Sequence, residues 1–382
     1  MMVKSAVSVR RCIDYDQDRV RAALRQCFDD LGGIGAFVKT GEIVVLKVNL
    51  LRGAPPEEAV TTHPAVVLAL SREVERAGAI ALVADTPSGT ISQNRLRKVY
   101  DASGLLELEK RGELKLNWDI SVSRVSNPDG KLLRSVDILK VVHEAGAVIT
   151  VPKLKTHTLT GITGATKILY GVIPGLAKAG YHAKLPDVRR FCDMQLDLVL
   201  LVKPRLAVLD GILGMEGEGP SAGEPRRGNV LLASADSFAL DVVMAAFMGA
   251  RPRALPILDA AVARGLAPAS IDGVDILGDS LDTVRSGDWR LPSTRVGLME
   301  HISGRLPPAL LRRMGSILVR RPVPDRKLCN SCGECVRNCP QKCIRIVNDV
   351  LKIDYARCQS CFCCSETCPN RAMKVREPLF SF

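Results

Sequence analysis

Two patterns of apolar and polar positions alternate along residues 1–300. Short runs of apolar residues predict buried strands, and segments with apolar residues three or four positions apart predict helices. Strands are expected at residues 43–48, 79–84, 146–151, 205–209 and 229–233, and helices at about 17–31, 64–77, 92–111, 137–145, 187–202 and 236–249. This alternation predicts a large α/β domain with a mostly parallel sheet that helices cover on both faces.

Polar residues follow several of the predicted strands. Asn49, Asp85, Lys153 and Asp210 each stand directly after or close to a strand end, and Asp236 follows the fifth strand. Ligands of open parallel sheets bind beyond the carboxyl ends of the strands, so these side chains are expected to face one pocket. The alternative is that aspartate and asparagine begin loops and cap helices there. The pattern leaves both interpretations open.

The third strand end carries the strongest cationic pattern. In the sequence PKLKTH, an extended chain places Lys153, Lys155 and His157 on one side, because side chains alternate with period two. A glycine-rich segment that contains Lys167 and His182 follows. Ammonium groups and an imidazole in one place are typical of an anion site. The lysines are therefore expected to hold an anionic substrate, with His157 or His182 as the proton donor.

A second glycine-rich loop, DGILGMEGEGP at residues 210–220, carries acidic groups. Its spacing does not fit a dinucleotide-binding fingerprint, because the third glycine comes late and a proline intervenes. Asp210 is expected to act in catalysis and Glu216 in substrate binding. For Glu218, a solvated turn is the stronger interpretation.

Eight cysteines near the C-terminus form two copies of one pattern. CNSCGECVRNCP at residues 329–340 and CQSCFCCSETCP at residues 358–369 both follow C-x2-C-x2-C-x3-C-P. The segment resembles bacterial-type ferredoxin domains with two 4Fe–4S clusters, in which the fourth cysteine of each run ligates the other cluster. The resemblance implies two ligand sets: Cys329, Cys332, Cys335 and Cys368 for one cluster, and Cys358, Cys361, Cys364 and Cys339 for the other.

Other roles for these cysteines fit the pattern less well. Structural zinc sites usually take four ligands in two separated pairs, and disulfides need an oxidising compartment. Cys363 adjoins Cys364 and either could be the ligand, although the repeat spacing favours Cys364. Cys343 is expected to pack beside a cluster. Buried, inert thiols are expected at Cys12, Cys27 and Cys192.

Charge and composition bound the partners. The formal net charge is +12, which favours an acidic protein partner or an anionic ligand, whereas 4% aromatic residues and no basic stripe argue against nucleic acid. The N-terminus lacks the apolar core of an export signal and no apolar run is long enough to span a bilayer, so a cytoplasmic protein is expected. Residues 301–324 hold five arginines and no acid, and predict a basic amphipathic linker helix.

The N-terminal part carries a second resemblance. KVNLL, the HP at residues 63–64, VPKLKTHTLTGITGATK with YGVIPG, and DGILGMEGEGP followed by SADSFALD resemble the family called domain of unknown function 362. That family often occurs fused to a ferredoxin domain, and the resemblance implies an iron–sulfur oxidoreductase without a settled reaction. The segment from Lys167 through Pro174-Gly175 to His182 is also similar to nickel-pincer lactate racemases, whose other histidine motifs are not evident here.

These observations predict three parts: an α/β domain over residues 1–300, the linker over 301–324, and a small α+β ferredoxin domain with two clusters over 325–382. We expect an oxidoreductase that takes low-potential electrons from a donor protein and passes them to an anionic small molecule in the α/β domain. Two alternatives remain: a non-catalytic electron-transfer subunit whose large domain is a docking module, and a non-redox enzyme with structural clusters.

Overall fold

The computed structural model describes residues 4–175, 177–285, 287–292 and 320–376. Within these residues the strands are, in chain order, β1 (Ser5–Arg11), β2 (Ile43–Val48), β3 (Ile80–Ala84), β4 (Val122–Ser126), β5 (Ser135–Leu139), β6 (Ala147–Val151), β7 (Lys153–His157), β8 (Gly161–Ile162), β9 (Leu206–Glu216), β10 (Glu224–Ser234), β11 (Val274–Gly278), β12 (Arg321–Pro324), β13 (Ile344–Val347), β14 (Val350–Ile353) and β15 (Met373–Arg376).

The helices of the same residues are α1 (Gln17–Asp30), α2 (Pro64–Arg76), α3 (Gln93–Ala102), α4 (Leu105–Lys110), α5 (Lys140–His143), α6 (Gly164–Lys167), α7 (Ala177–Lys184), α8 (Val188–Val202), α9 (Ser237–Phe247), α10 (Pro256–Ala263), α11 (Leu281–Val284), α12 (Glu334–Arg337) and α13 (Cys363–Glu366). Among them, none is long and apolar enough to cross a membrane.

A nine-stranded sheet organises the N-terminal part of the chain. Its order is β11-β1-β10-β9-β6-β2-β3, with β7 beside β9 and β8 beside β7. The pairs β2–β3, β2–β6, β6–β9, β7–β9 and β1–β11 are parallel. The pairs β1–β10, β9–β10 and β7–β8 are antiparallel. The predicted mixed α/β fold with a mostly parallel sheet is confirmed.

Apolar packing covers both faces of this sheet. On β2, Val44 and Leu46 point into the core formed with α1 and α2, whereas Val45 points into the core formed with α8 and α9. A strand buried on both faces needs a continuous apolar run, which is why IVVLKV identified β2 from the sequence. The charged Lys47 in that run lies in a fully buried position.

The five predicted strands are present, and two predicted helices differ from the structure. The helix expected at 92–111 is divided into α3 and α4, because Gly104 adopts a left-handed conformation with φ of 77°. The helix expected at 137–145 begins instead with β5, which pairs with β4, and only α5 is helical. Alternating buried and half-buried side chains in SVDIL favour that strand.

The described C-terminal residues 320–376 form two small antiparallel pairs, β12–β15 and β13–β14, with the short helices α12 and α13. This part packs against the carboxyl ends of the large sheet. Ser221 Oγ donates to the carbonyl oxygens of Ser365 and Glu366, and Arg371 pairs with Glu58 at 2.8 Å. The predicted linker helix at 301–324 lies outside the described residues apart from 320–324, of which Arg321–Pro324 form β12.

Candidate functional site

A cavity of about 720 Å³ lies at the carboxyl ends of the strands, between the sheet and the C-terminal part of the chain. Its wall includes residues after β2 and β3, residues on β7, the segment from Thr163 to His182, and residues of the cysteine-rich part. The charged and polar side chains that line it are Lys47, Asn49, Asp85, Lys155, His157, Thr163, Lys167, Tyr170, Lys178, His182, Asn338, Cys363 and Glu366.

The expected cationic strand end is present as β7, but the side chains of its two lysines lie in different environments. Lys155 and His157 line the cavity, whereas Lys153 Nζ pairs with Asp210 at 2.8 Å and lies 2.8 Å from the Tyr15 hydroxyl. The register of β7 on β9 shifts between Lys153 and Lys155. This irregularity separates the two ammonium groups, which a regular strand would have kept on one side.

Asp210 is a fully buried structural anchor in this arrangement. Its carboxylate accepts hydrogen bonds from Lys153 Nζ, the Tyr15 hydroxyl and the backbone N–H of His63. The His63 ring stacks on the Tyr15 ring at 3.4 Å between centroids. Asp210 therefore ties the start of α2 to the neighbouring strands, and it does not line the cavity.

A second buried ion pair forms part of the cavity wall. Lys47 Nζ lies 2.7 Å from Asp85, whose carboxylate also accepts from the backbone N–H groups of Leu50 and Thr86. Gly171 closes over this pair: a Cβ there would lie 2.2 Å from Asp85 Oδ1. A larger residue at this position would displace the pair or fill the cavity.

Both histidines of the cavity are held in neutral forms. His157 Nδ1 accepts from the backbone N–H groups of Leu159 and Thr160, so its ring hydrogen is on Nε2, which lies 3.2 Å from Glu366 Oε1. Burial, with Lys167 nearby, lowers the pKa of His157 to about 4. Burial likewise lowers the pKa of His182, which stacks on Phe191, to about 4.

The remaining lysines of the cavity are less fully compensated. Lys155 Nζ donates to the carbonyl oxygens of Val60 at 2.7 Å and Pro220 at 3.3 Å, and burial and Lys167 lower its pKa to about 7. Lys178 Nζ donates to the carbonyls of Thr86 and Pro87, and burial lowers its pKa to about 7. Burial also lowers the pKa of Lys167, which Glu366 partly offsets.

The other expected site residues are divided between the cavity and the rest of the fold. Asn49 lines the cavity and its Oδ1 accepts from the backbone N–H of Lys153. Glu216 is paired with Arg226 at 2.8 Å and Arg290 at 2.7 Å, away from the cavity. Burial alone would raise the pKa of Glu216, but hydrogen bonds from these two arginines lower it to about 2. Asp236 caps α9, as the capping alternative predicted.

Two smaller cavities lie among the cysteines. The first, of about 350 Å³, is lined by Cys329, Cys332 and Cys335 of the first run together with Cys368 of the second. The second, of about 300 Å³, is lined by Cys358, Cys361 and Cys364 of the second run together with Cys339 of the first, and also by Cys343 and Cys363. Each cavity therefore combines three cysteines of one run with the fourth cysteine of the other.

The two additional cysteines of the second cavity differ in position. Cys343 Sγ lies 3.5 Å from Cys339 Sγ in a buried site, while Cys363 lines both this cavity and the 720 Å³ cavity. Elsewhere Cys12, Cys27 and Cys192 are buried, and burial raises the pKa of the Cys27 thiol to about 12. In the described residues no three His, Cys, Asp or Glu side chains are grouped to hold a single metal ion.

Three charged residues of the cavity were not expected from the sequence. Lys47 is the one charged residue in the apolar run IVVLKV, a signal that a buried partner is needed. Glu366 lies between two ligand-type cysteines, and no periodicity places it opposite His157. Lys178 lies in a small helix with no charge pattern that separates it from a solvated lysine.

Comparison with known proteins gives one family and one curated relative. The model of a domain of unknown function, DUF362, matches residues 44–246. A thylakoid-associated protein from Synechocystis is 34% identical over 292 residues, which are 76% of this chain and 88% of that protein.

Two solved structures are similar to part of this chain. A lactate racemase apoprotein from Thermoanaerobacterium thermosaccharolyticum has 12% identity and a TM-score of 0.42 over 65% of this chain and 58% of its own. A protein from Thermotoga maritima has 12% identity and a TM-score of 0.32 over 58% of this chain and 56% of its own. The chain spans less than two thirds of each solved chain. By the family match and the curated relative, this chain belongs to the DUF362 family.

Proposed function

We propose that the chain is an iron–sulfur oxidoreductase, which passes low-potential electrons through two 4Fe–4S clusters to an anionic substrate in the strand-end cavity. The position of Cys363 carries this proposal. Its side chain lines both the second cysteine cavity and the 720 Å³ cavity, so one residue layer separates a cluster site from a ligand site. Such proximity is what electron delivery to a bound molecule requires.

The cysteines fit two four-iron clusters. Each of the two cysteine cavities offers four ligand thiols, three from one run and one from the other, which is the ligation of two-cluster ferredoxins. Thiolates that each bind a different iron of a cube need not converge on one point, as the ligands of a single zinc ion must. When bound, each cluster supplies one-electron transfer.

The strand-end cavity fits an anionic ligand that is reduced. Four lysines line it against the two carboxylates of Asp85 and Glu366, so the wall carries a cationic excess. Lys155 and Lys167 hold the anion, with Asn49 as a further polar contact. His157 and His182 remain the proposed proton donors. In the neutral form each offers an N–H hydrogen bond to negative charge that develops on the substrate, and each transfers a proton only after its ring has taken one up from solvent.

Asp210 and Glu216, expected in catalysis and substrate binding, have no role in this proposal. Each is engaged by cationic partners away from the cavity. Lys153 likewise acts on the cavity only through the position of β7.

Anaerobic purification tests the proposal. We expect about eight iron and eight acid-labile sulfide per chain. Cys368→Ser should remove the cluster that includes Cys329 and leave the cluster that includes Cys358, which electron paramagnetic resonance of the reduced protein resolves. Loss of the other cluster would contradict the cross-run ligation, and a protein with no iron would overturn the proposal.

A second measurement separates an enzyme from a relay. Mass spectrometry of small molecules released from the anaerobic protein should find an anion, and reduction of the protein by a low-potential donor should change that molecule in proportion to the electrons supplied. If the protein accepts electrons but neither retains nor changes an anion, the large domain is a docking module of an electron-transfer subunit. If the clusters stay oxidised at low potential, they are structural.

A further inference from the structure

We propose that the strand-end cavity takes a ligand with two separated anionic groups, one received by Lys155 and Lys167 and the other by Lys178. The inference rests on the proposed function, since it names the class of the substrate. Dicarboxylates and phosphorylated carboxylates share this chemistry. Lys178 has no expected role from the sequence and gains one only from its place in the wall.

The charges of the cavity leave three lysines without an ion-pair partner. Asp85 already forms an ion pair with Lys47, with 2.7 Å between Asp85 Oδ1 and Lys47 Nζ. Glu366 lies 3.2 Å from His157, and its charge also acts on Lys167. Within the described part of the chain, none of Lys155, Lys167 and Lys178 has a carboxylate within ion-pair distance. Buried ammonium groups are normally paired, so the buried Lys155 and Lys167, with the half-buried Lys178, indicate that a ligand supplies the counter-charge.

The hydrogen bonds of Lys155 and Lys178 leave each ammonium group able to bind a ligand. An ammonium group has three N–H donors. Lys155 uses two of them on the carbonyl oxygens of Val60 and Pro220, and Lys178 uses two on those of Thr86 and Pro87. Main-chain carbonyls fix each Nζ without neutralising it. One N–H of each lysine remains for an anion, and a charge-assisted bond of this kind is stronger than one between neutral groups.

Lys155 and Lys178 reach the cavity at the ends of different strands. Lys155 is on β7, which pairs with β9, while Lys178 contacts the segment that follows β3. β7 continues the register of β6 on β9, so β2 is the strand between β7 and β3. Two strand spacings of about 4.8 Å each separate these strand ends, so a compact anion would meet one lysine and an elongated dianion would meet both. Thr163 Oγ1, buried without a hydrogen-bond partner in the cavity wall, offers a further donor.

Ligand affinity should depend on pH in one direction. Burial lowers the pKa of both lysines to about 7, so each is partly neutral at pH 7 and an anion draws a proton onto it. The charged groups that act on Lys155 are Lys167, Glu366, Asp85 and Lys153, and those that act on Lys178 are Asp85, Lys47, Lys167 and Glu366. His157 and His182 also line the wall and are neutral above pH 6. Affinity should therefore fall as pH rises from 6 to 9.

The test is calorimetric titration of the oxidised holoprotein, without an electron donor, with succinate, inorganic phosphate and acetate. We expect succinate to bind at least tenfold more tightly than acetate or phosphate, with proton uptake at pH 7.5 that buffers of different ionisation enthalpy reveal. Lys155→Met and Lys178→Met should each weaken succinate binding at least tenfold. Lys184→Met, an exposed lysine of the same helix α7, should leave it unchanged.

Two results would overturn the inference. One is succinate binding no tighter than acetate. The other is succinate binding that Lys178→Met leaves intact, which would show a ligand held at Lys155 and Lys167 alone. Thermal unfolding of each variant without ligand checks folding, and Lys→Met is not expected to lower the midpoint because an unpaired buried charge is removed. Iron content of the same samples separates a failure of the clusters, and so of the proposed function, from a failure of this inference.

Discussion

At the scale of single residues, neighbouring side chains of the same type have different tasks. Lys153 and Lys155 are two positions apart, yet one anchors Asp210 and the other faces the cavity. Cys363 and Cys364 are adjacent, and only Cys363 reaches the strand-end cavity. The spacing of cysteines in the sequence predicts which of the two is a cluster ligand, but the role of its neighbour depends on what lies across the interface.

A substitution at Cys363 tests that difference. Cys363→Ser should retain about eight iron per chain, whereas Cys364→Ser should lose about half. The reason is that the repeat spacing favours Cys364 as the ligand, whereas Cys363 also lines the strand-end cavity. Iron analysis and electron paramagnetic resonance measure the outcome. Loss of a cluster in Cys363→Ser with retention in Cys364→Ser would reverse the assignment.

At the scale of elements, the irregular pairing of β7 with β9 decides which side chains reach the cavity. Two positions along β7, from Lys153 to Lys155, correspond to five along β9, from Asp210 to Met215. The buried pair of Lys153 and Asp210 fixes the start of this irregularity. The Lys153–Asp210 pair therefore holds β7 in position on β9, and it also neutralises two buried charges.

Removal of one partner of this pair should be costly. Asp210→Asn leaves Lys153 buried without a counter-charge, and the expected loss is about 3 kcal/mol in the free energy of unfolding. The matched control is Asp137→Asn, which breaks the exposed pair with Arg124 and should cost less than about 1 kcal/mol. Thermal unfolding at one scan rate compares them. Equal shifts for the two variants would show that the buried pair has no special weight.

The sequence predicted these elements unevenly. Apolar runs identified β2, β3, β6, β9 and β10, because a strand covered on both faces must be apolar throughout. Strand β1 and the division of α3 from α4 were missed, since half-buried segments and one glycine give weak periodic signals. Of the expected site, Asn49, Asp85, Lys155, His157, Lys167 and His182 come together. Asp210 and Glu216 do not, because their arginine and lysine partners are distant in sequence.

At the scale of the whole molecule, the buried His157 and His182 and the half-buried His63 are expected to make stability sensitive to mild acid. Burial lowers the pKa values of His63, His157 and His182 from 6.5 to about 4 in the folded state. A depressed pKa contributes stability that is complete above pH 6.5 and is lost as the pH falls from 6.5 to about 4. At pH 5.5 each histidine should cost roughly 1 kcal/mol relative to pH 7.5.

His182→Gln tests this dependence, since it removes one of the three groups from a position packed on Phe191. The drop in thermal midpoint between pH 7.5 and pH 5.5 should be smaller in the variant than in the wild type, with iron content matched. His143→Gln, at a helix end outside these contacts, is the control. An equal pH dependence in all three proteins would place the acid sensitivity elsewhere.

The closure of the strand-end cavity by α13 has a consequence for how the protein matures. Cys363 and Glu366 complete the wall, so the ligand site exists only when the cysteine-rich part is folded. If the proposed clusters and the proposed ligand both bind, thermodynamic linkage makes this reciprocal: whatever stabilises the clusters tightens ligand binding, and the ligand protects the clusters. Saturating succinate should therefore slow the bleaching of cluster absorbance in air, and Lys178→Met should abolish that protection. A chain that has lost its iron would release its substrate rather than hold it unreduced.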